Sequence, residues 1–155
     1  MSETINMPTI DLVTVEAGAF PMGSNGMILS GREAPEHTVE LATYQIGRYP
    51  ITNAQYLPFI VDTGHPQPDT WRGTYPGHEA HHPVCGIRWP DAWLYCAWLE
   101  DKTGQPYHLP TEAQWEKAAT WNPRTQTKYK YPWGDADDAT PLCASMGETD
   151  RFSCS

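Results

Sequence analysis

Residues 108–119 read HLPTEAQWEKAA. Thr111 is placed to cap a helix, and Gln114, three residues on, completes a T-x-x-Q capping box. In such a box the hydroxyl and the amide each take one orphan backbone N–H. Glu112 falls in the first turn, where the helix dipole favours a carboxylate. Glu116 follows four residues later, so the two carboxylates share one face, with Trp115 between them. An acid/base pair needs a cleft and separated pKa values. Capping and dipole account for Thr111, Glu112 and Gln114 without either. The stretch is therefore expected to be a well-started helix, anchored to the core by Trp115.

Working outward, PDAWLYCAWLEDKTG (90–104) predicts a second helix. Pro90 suits the first turn and Asp91 favours the dipole. Ala92, Tyr95, Cys96 and Leu99 form its expected buried stripe, and Thr103-Gly104 ends it. ITNAQYLPFIVDTG (51–64) repeats the plan. Thr52 is the N-cap, Gln55 completes its box, and Tyr56, Phe59 and Ile60 make one face. Gly64 stops it, and Pro58 is expected to shorten or bend it. Upstream, residues 10–22 predict a strand broken at Gly18, and 38–50 predict another. VCGIRW (84–89) is a short strand candidate. Residues 65–83 hold four prolines and two glycines and form a long loop of the kind usually tied to function or to an irregular fold.

Composition excludes several classes. Hydrophobic residues make up 39% and charged residues 19% of 155, which fits one globular α+β domain and not a disordered chain. No apolar run approaches the ~20 residues of a membrane span. The N-terminus has neither a basic flank nor an apolar core, so no secretory signal is expected. A net charge of −9 without a basic cluster argues against nucleic-acid binding and against attraction to an anionic membrane. Four cysteines, Cys85, Cys96, Cys143 and Cys154, include no C-x-x-C. They are expected to be reduced structural thiols in a cytoplasmic protein.

Five motifs then occur in order: VEAGAFPMGS, YQIGRYPITNAQYLPFI, HPVCGIRWPDAWLYCAWL, LPTEAQWEKAA and YPWGD. Together they resemble the formylglycine-generating-enzyme family, also called FGE-sulfatase domains, from about Leu12 to about Glu148. The resemblance implies a C-type-lectin-like fold with short strands, two or three short helices and much irregular loop. It implies several roles: copper-dependent oxidation of a peptide cysteine to formylglycine, iron-dependent sulfoxide synthesis, or binding without catalysis. The family's catalytic cysteine pair belongs to a C-terminal part, near GNVWEW and RGGSW motifs that this sequence lacks. Ala144 stands where the family has an Asn that can bind calcium, His108 replaces an Arg, and Thr120-Trp121 replaces an Arg-Gly.

Other clusters are weighed the same way. His78, His81 and His82 offer three imidazoles, but Pro76, Gly77 and Pro83 bracket them and no helix aligns them for zinc. Asp135, Asp137 and Asp138 offer oxygen ligands, yet Thr140 and Met146 stand where an EF-hand needs Gly and Glu. An acidic turn is the simpler reading. No basic residue stands beside Cys96, and Arg151 near Cys154 lies in a terminal tail, so neither thiol is expected to be activated. Trp71 and Arg72 form either a binding anchor or a loop pin. By resemblance their loop borders the family's substrate groove, and the family also shares the His82-Pro83 pair.

The expectation is thus a single FGE-sulfatase-like domain over residues 1–155, the N-terminal portion of the family's domain and incomplete at its C-terminus. No catalytic residue and no metal ligand is assigned. Copper or calcium enters only if a further C-terminal part supplies ligands. Groove residues are Trp71, Arg72 and His82; caps and anchors are Thr52, Gln55, Thr111, Gln114 and Trp115. The expected role is a protein- or ligand-binding module, or one piece of a split or cleaved domain, leaning away from enzymatic activity for this chain alone. Its partner is a protein or peptide, the missing C-terminal part included, with no nucleic acid and no membrane. The alternative is the N-terminal portion of a copper- or iron-dependent oxidase that makes formylglycine.

Overall fold

Two helices built to one plan organise the first packing unit. The computed structural model describes residues 6–25, 35–132 and 134–135. The chain forms two compact packing units, one of Met1–Val13 with Gln45–Pro110, the other of Thr14–Tyr44 with Thr111–Ser155.

In the first unit, α1 spans Asn53–Thr63 and α2 spans Trp89–Thr103. The Thr52 hydroxyl accepts the Gln55 N–H at 3.3 Å, and the Gln55 amide oxygen accepts the Thr52 N–H at 2.9 Å. α2 has only the reciprocal half of a box: Asp91 Oδ2 accepts the Arg88 N–H at 2.8 Å, because an arginine side chain has no acceptor to return. Both helices stop at Thr-Gly by the same chemistry. The hydroxyl donates four residues back, Thr63 to Phe59 at 2.6 Å and Thr103 to Leu99 at 2.7 Å. Each oxygen then accepts an N–H two residues on, from His65 and Gln105. Gly64 and Gly104 supply the left-handed turn at φ 67° and 68°, which a side chain would resist. Pro58 sits inside α1 without ending it.

The helices meet through rings. Tyr56, Phe59, Tyr95, Trp98 and Trp71 are buried together with Ile60 and Leu99. Phe59 meets Tyr95 edge-on at 5.7 Å between centroids, and Tyr56 meets Phe59 at 5.2 Å. Such pairs add roughly 0.5–1.5 kcal/mol each beyond the area they bury. The observed stripe of α2 is Tyr95, Trp98 and Leu99, with Ala92 and Cys96 half-buried. Trp98 can be buried because its Nε1 donates to Asp62 Oδ2 at 2.8 Å, leaving no orphan donor.

The long loop carries two 3-10 turns, Asp69–Trp71 and Gly77–Glu79. VCGIRW forms no strand. Its Gly86, at φ 71°, lies so close to Thr70 that an added Cβ would sit 2.9 Å from the Thr70 N. The Gly86 and Cys85 carbonyls accept from the Asp69 N–H and the Thr70 hydroxyl. The segment is therefore tied to a turn and not to a sheet.

The two strands expected over 10–22 and 38–50 are four. β1 is Leu12–Val15, β2 Gly18–Met22, β3 His37–Leu41 and β4 Tyr44–Gly47. β1 pairs with β4, and β2 pairs antiparallel with β3 in the register Phe20↔Val39. The breaks face each other, where the Ala17 N–H donates to the Thr43 hydroxyl.

In the second unit α3 spans Glu112–Thr120, capped by Thr111 and Gln114 in a full box. A small hairpin follows, β5 at Trp121–Asn122 and β6 at Thr127–Lys128. The expected anchor is corrected here: Trp115 is 63% exposed. α3 instead turns Lys117 inward. Its Nζ donates to the Glu16 and Gly18 carbonyls at 2.8 and 2.9 Å, satisfying two acceptors at once where an indole has a single N–H to give. Tyr44 adds a bond from its hydroxyl to the Gln114 carbonyl at 2.6 Å.

Candidate functional site

A cleft of about 230 Å³ opens beside the aromatic cluster of the first unit. Three segments build it: α1 with the turn after it, the 3-10 turn at Asp69, and the Gly86–Asp91 entry into α2. Pro66, Pro68 and Ile87 supply apolar wall, and Tyr56, His65, Gln67, Asp69, Arg88 and Asp91 supply polar groups.

Local sequence explains each placement. His65 follows the Thr63-Gly64 stop, and its ring lies 5.1 Å from that of Phe59. Its Nε2 stands 3.0 Å from Asp91 Oδ1, which fixes Nε2 as the protonated nitrogen, since an ionised carboxylate only accepts. Asp91 is third in α2. The Arg88 N–H, and after it His65, hold its carboxyl below the usual value. It is therefore ionised at neutral pH.

Tyr56 is the exception in a well-satisfied core. Tyr95 donates its hydroxyl to the Gln55 carbonyl, and Trp71 donates Nε1 to Asn53 Oδ1 at 2.7 Å. The Tyr56 hydroxyl is buried and, among the described residues, has no hydrogen-bond partner. Burial first, and the Asp91 charge second, push it up to about 12, so it remains a neutral donor. An orphaned buried hydroxyl costs roughly 1–3 kcal/mol. The cleft gathers two carboxylates, an imidazole and a guanidinium beside an apolar wall, which suits it to a polar group.

The residues singled out in the sequence lie elsewhere. Trp71 is only 3% exposed and pins the loop, so it is not an exposed contact; the adjacent Arg72 is exposed, with a left-handed φ of 48°. His82 is exposed, and its carbonyl accepts the Asn53 N–H at 3.0 Å. His78 is within 3.5 Å of Glu79 at the surface. Glu116 is structural: Oε1 accepts from the Gly23 N–H and from Lys128 Nζ, both at 2.8 Å. Glu112 is exposed at the helix start. Asp135 accepts the Lys130 N–H, while Asp137, Asp138, Cys143, Ala144, Arg151 and Cys154 lie outside the described residues. Cys85 is exposed, Cys96 half-buried, and both are free thiols. Burial pushes the Cys96 thiol up. Among the described residues no three of His, Cys, Asp and Glu converge to hold a metal. No described helix is long and apolar enough to cross a membrane.

Residues 1–152 match the model of the sulfatase-modifying factor enzyme 1-like domain, FGE-sulfatase. The chain is similar to the hercynine oxygenase of Mycobacterium tuberculosis, 32% identical over 74% of this chain and 32% of that protein. It is also similar to the formylglycine-generating enzyme of the same organism, 28% identical over 82% of this chain and 56% of that protein. Among solved structures, PvdO from Pseudomonas aeruginosa superposes with a TM-score of 0.62 at 24% identity, covering 92% of this chain and 54% of PvdO. The shared fold is α+β with short strands. The chain spans about a third of the length of the hercynine oxygenases, from 31% to 38%.

Proposed function

The chain belongs to the FGE-sulfatase family, and from that premise we propose that it works as a binding module and not, by itself, as a cysteine oxidase. The cleft lined by His65, Asp69, Arg88 and Asp91 carries this reading, because it gathers polar and charged groups beside an apolar wall. The Cys96 thiol supports it. The family's oxidation chemistry draws on reactive cysteines with a metal, whereas burial keeps Cys96 protonated and so poorly nucleophilic. A protein or peptide is the partner this module serves, in the cytoplasm.

The test has two parts. Cu(I) is offered to the full chain in competition with a chelator, and a sulfatase-type cysteine peptide is then incubated with the chain in air. The expected result is copper left on the chelator and an unmodified peptide. Peptide turnover by this chain alone overturns the reading.

A second reading is favoured by the two named relatives, an oxygenase and a formylglycine-generating enzyme. In it the chain supplies the N-terminal portion of a copper- or iron-dependent oxidase. The coding sequence past Ser155 discriminates: a cysteine pair after a GNVWEW motif favours the oxidase, and Asn or Ser there favours the module.

A further inference from the structure

We propose that the outward face of α2 docks a basic, apolar segment of a partner protein, with apolar side chains against Trp89 and Trp93 and a lysine or arginine at Glu100. The proposal rests on the binding-module reading and names the chemistry of its protein partner. Trp89 is 70% exposed, Trp93 52% and Leu94 40%. All three stand in the first two turns of α2. The inward Trp98, by contrast, is buried with its Nε1 bonded to Asp62. At 3.6 residues per turn, Trp89, Trp93, Ala97 and Glu100 fall along one line of the helix. That line lies opposite the buried Tyr95, Trp98 and Leu99. Arg88 and Asp91, at the entry to the same helix, line the cleft, so the face and the cleft adjoin.

Charge sets the class of the partner. Glu100 and Asp101 are exposed in the last turn of α2, where the helix dipole disfavours carboxylates. The one base of that turn, Lys102, gives its Nζ to Asp62 at 2.8 Å. Glu100 takes no hydrogen bond or ion pair among the described residues. A cation from a partner offsets both this carboxylate and the dipole. The net charge of −9 steers a basic partner in and an acidic one away. A second copy of the chain brings another −9. Two indoles of roughly 150–250 Å² each also fall short of the ~800 Å² per partner of a stable interface. The same small area makes the contact a transient one.

The full chain is titrated into a fluorescently labelled amphipathic helix with a leucine face and lysine flanks, and into its twin with glutamate flanks, following anisotropy. Saturable binding of the lysine peptide is expected, roughly tenfold or more tighter than the glutamate peptide. Trp93→Ala should weaken the lysine peptide roughly tenfold, as for an aromatic anchor. Glu100→Gln should weaken it roughly two- to fivefold, as for an exposed ion pair, and less at high salt. Thermal transitions check that both variants fold. Equal binding of the two peptides, lysine-peptide binding unchanged in either variant, or no saturation at millimolar chain overturns the proposal. So does a dimer in sedimentation equilibrium that Trp93→Ala dissolves, which gives the face to a second copy. These outcomes leave the binding-module reading standing; its own failure is seen separately, as oxidation of the cysteine peptide.

Discussion

Replacing Tyr56 by phenylalanine removes one oxygen and keeps the ring contacts to Phe59, Tyr95 and Trp71. A tyrosine with a bonded hydroxyl loses roughly 0.5–1.5 kcal/mol in such a change. Tyr56 has no bond to lose within the described residues, so the variant should be as stable as the parent or more so. Urea denaturation measures it; a loss above about 1.5 kcal/mol would place the hydroxyl in a bond of the fold itself. Asp91 makes a prediction in pH. Its carboxyl is held below the ordinary 3.8 by the Arg88 N–H and by His65. A carboxyl depressed by folding adds stability that is fully present above its unfolded value and lost as pH falls through the folded one. The parent should therefore lose stability below pH 3.8 more steeply than Asp91→Asn, and the gap between the two should narrow in acid. Parallel urea midpoints across pH 2–6 read this; a gap that widens in acid contradicts it. Neither residue's role was legible beforehand. Tyr56 falls on the buried face and Asp91 in the first turn from spacing alone, but nothing local joins positions 56, 65, 88 and 91.

Helix starts and stops are where sequence and structure agree most closely, because a capping box is closed within four residues. Both T-x-x-Q boxes are formed, and both Thr-Gly stops end α1 and α2 at left-handed glycines. Thr52→Ala and Thr111→Ala should each cost about 1 kcal/mol in a denaturation experiment. Equal stability of either variant to the parent would mean that its hydroxyl bond is compensated by water. The face a helix buries is a different matter. α3 is short, and its inward residue depends on what it meets: two strand-end carbonyls select Lys117 over Trp115. Likewise VCGIRW has strand-like composition, but a left-handed Gly86 and the Asp69–Trp71 turn take its carbonyls. Such choices are made by distant segments and leave no local trace.

At the scale of the molecule, five ordered motifs pointed to the family, and the match over residues 1–152 agrees. The motifs are legible because they encode caps, stops and ring anchors, all of them local. The cleft is not, because three segments cross there and each contributes ordinary residues. The same scale carries the functional claim: a family fold, a polar cleft and a Cys96 thiol that burial keeps protonated. The measurement that tests it most directly is the mass of a sulfatase-type cysteine peptide after incubation in air with the 155-residue chain and Cu(I). An unchanged cysteine mass is predicted. Conversion of that cysteine to formylglycine, above a control without the chain, would contradict it.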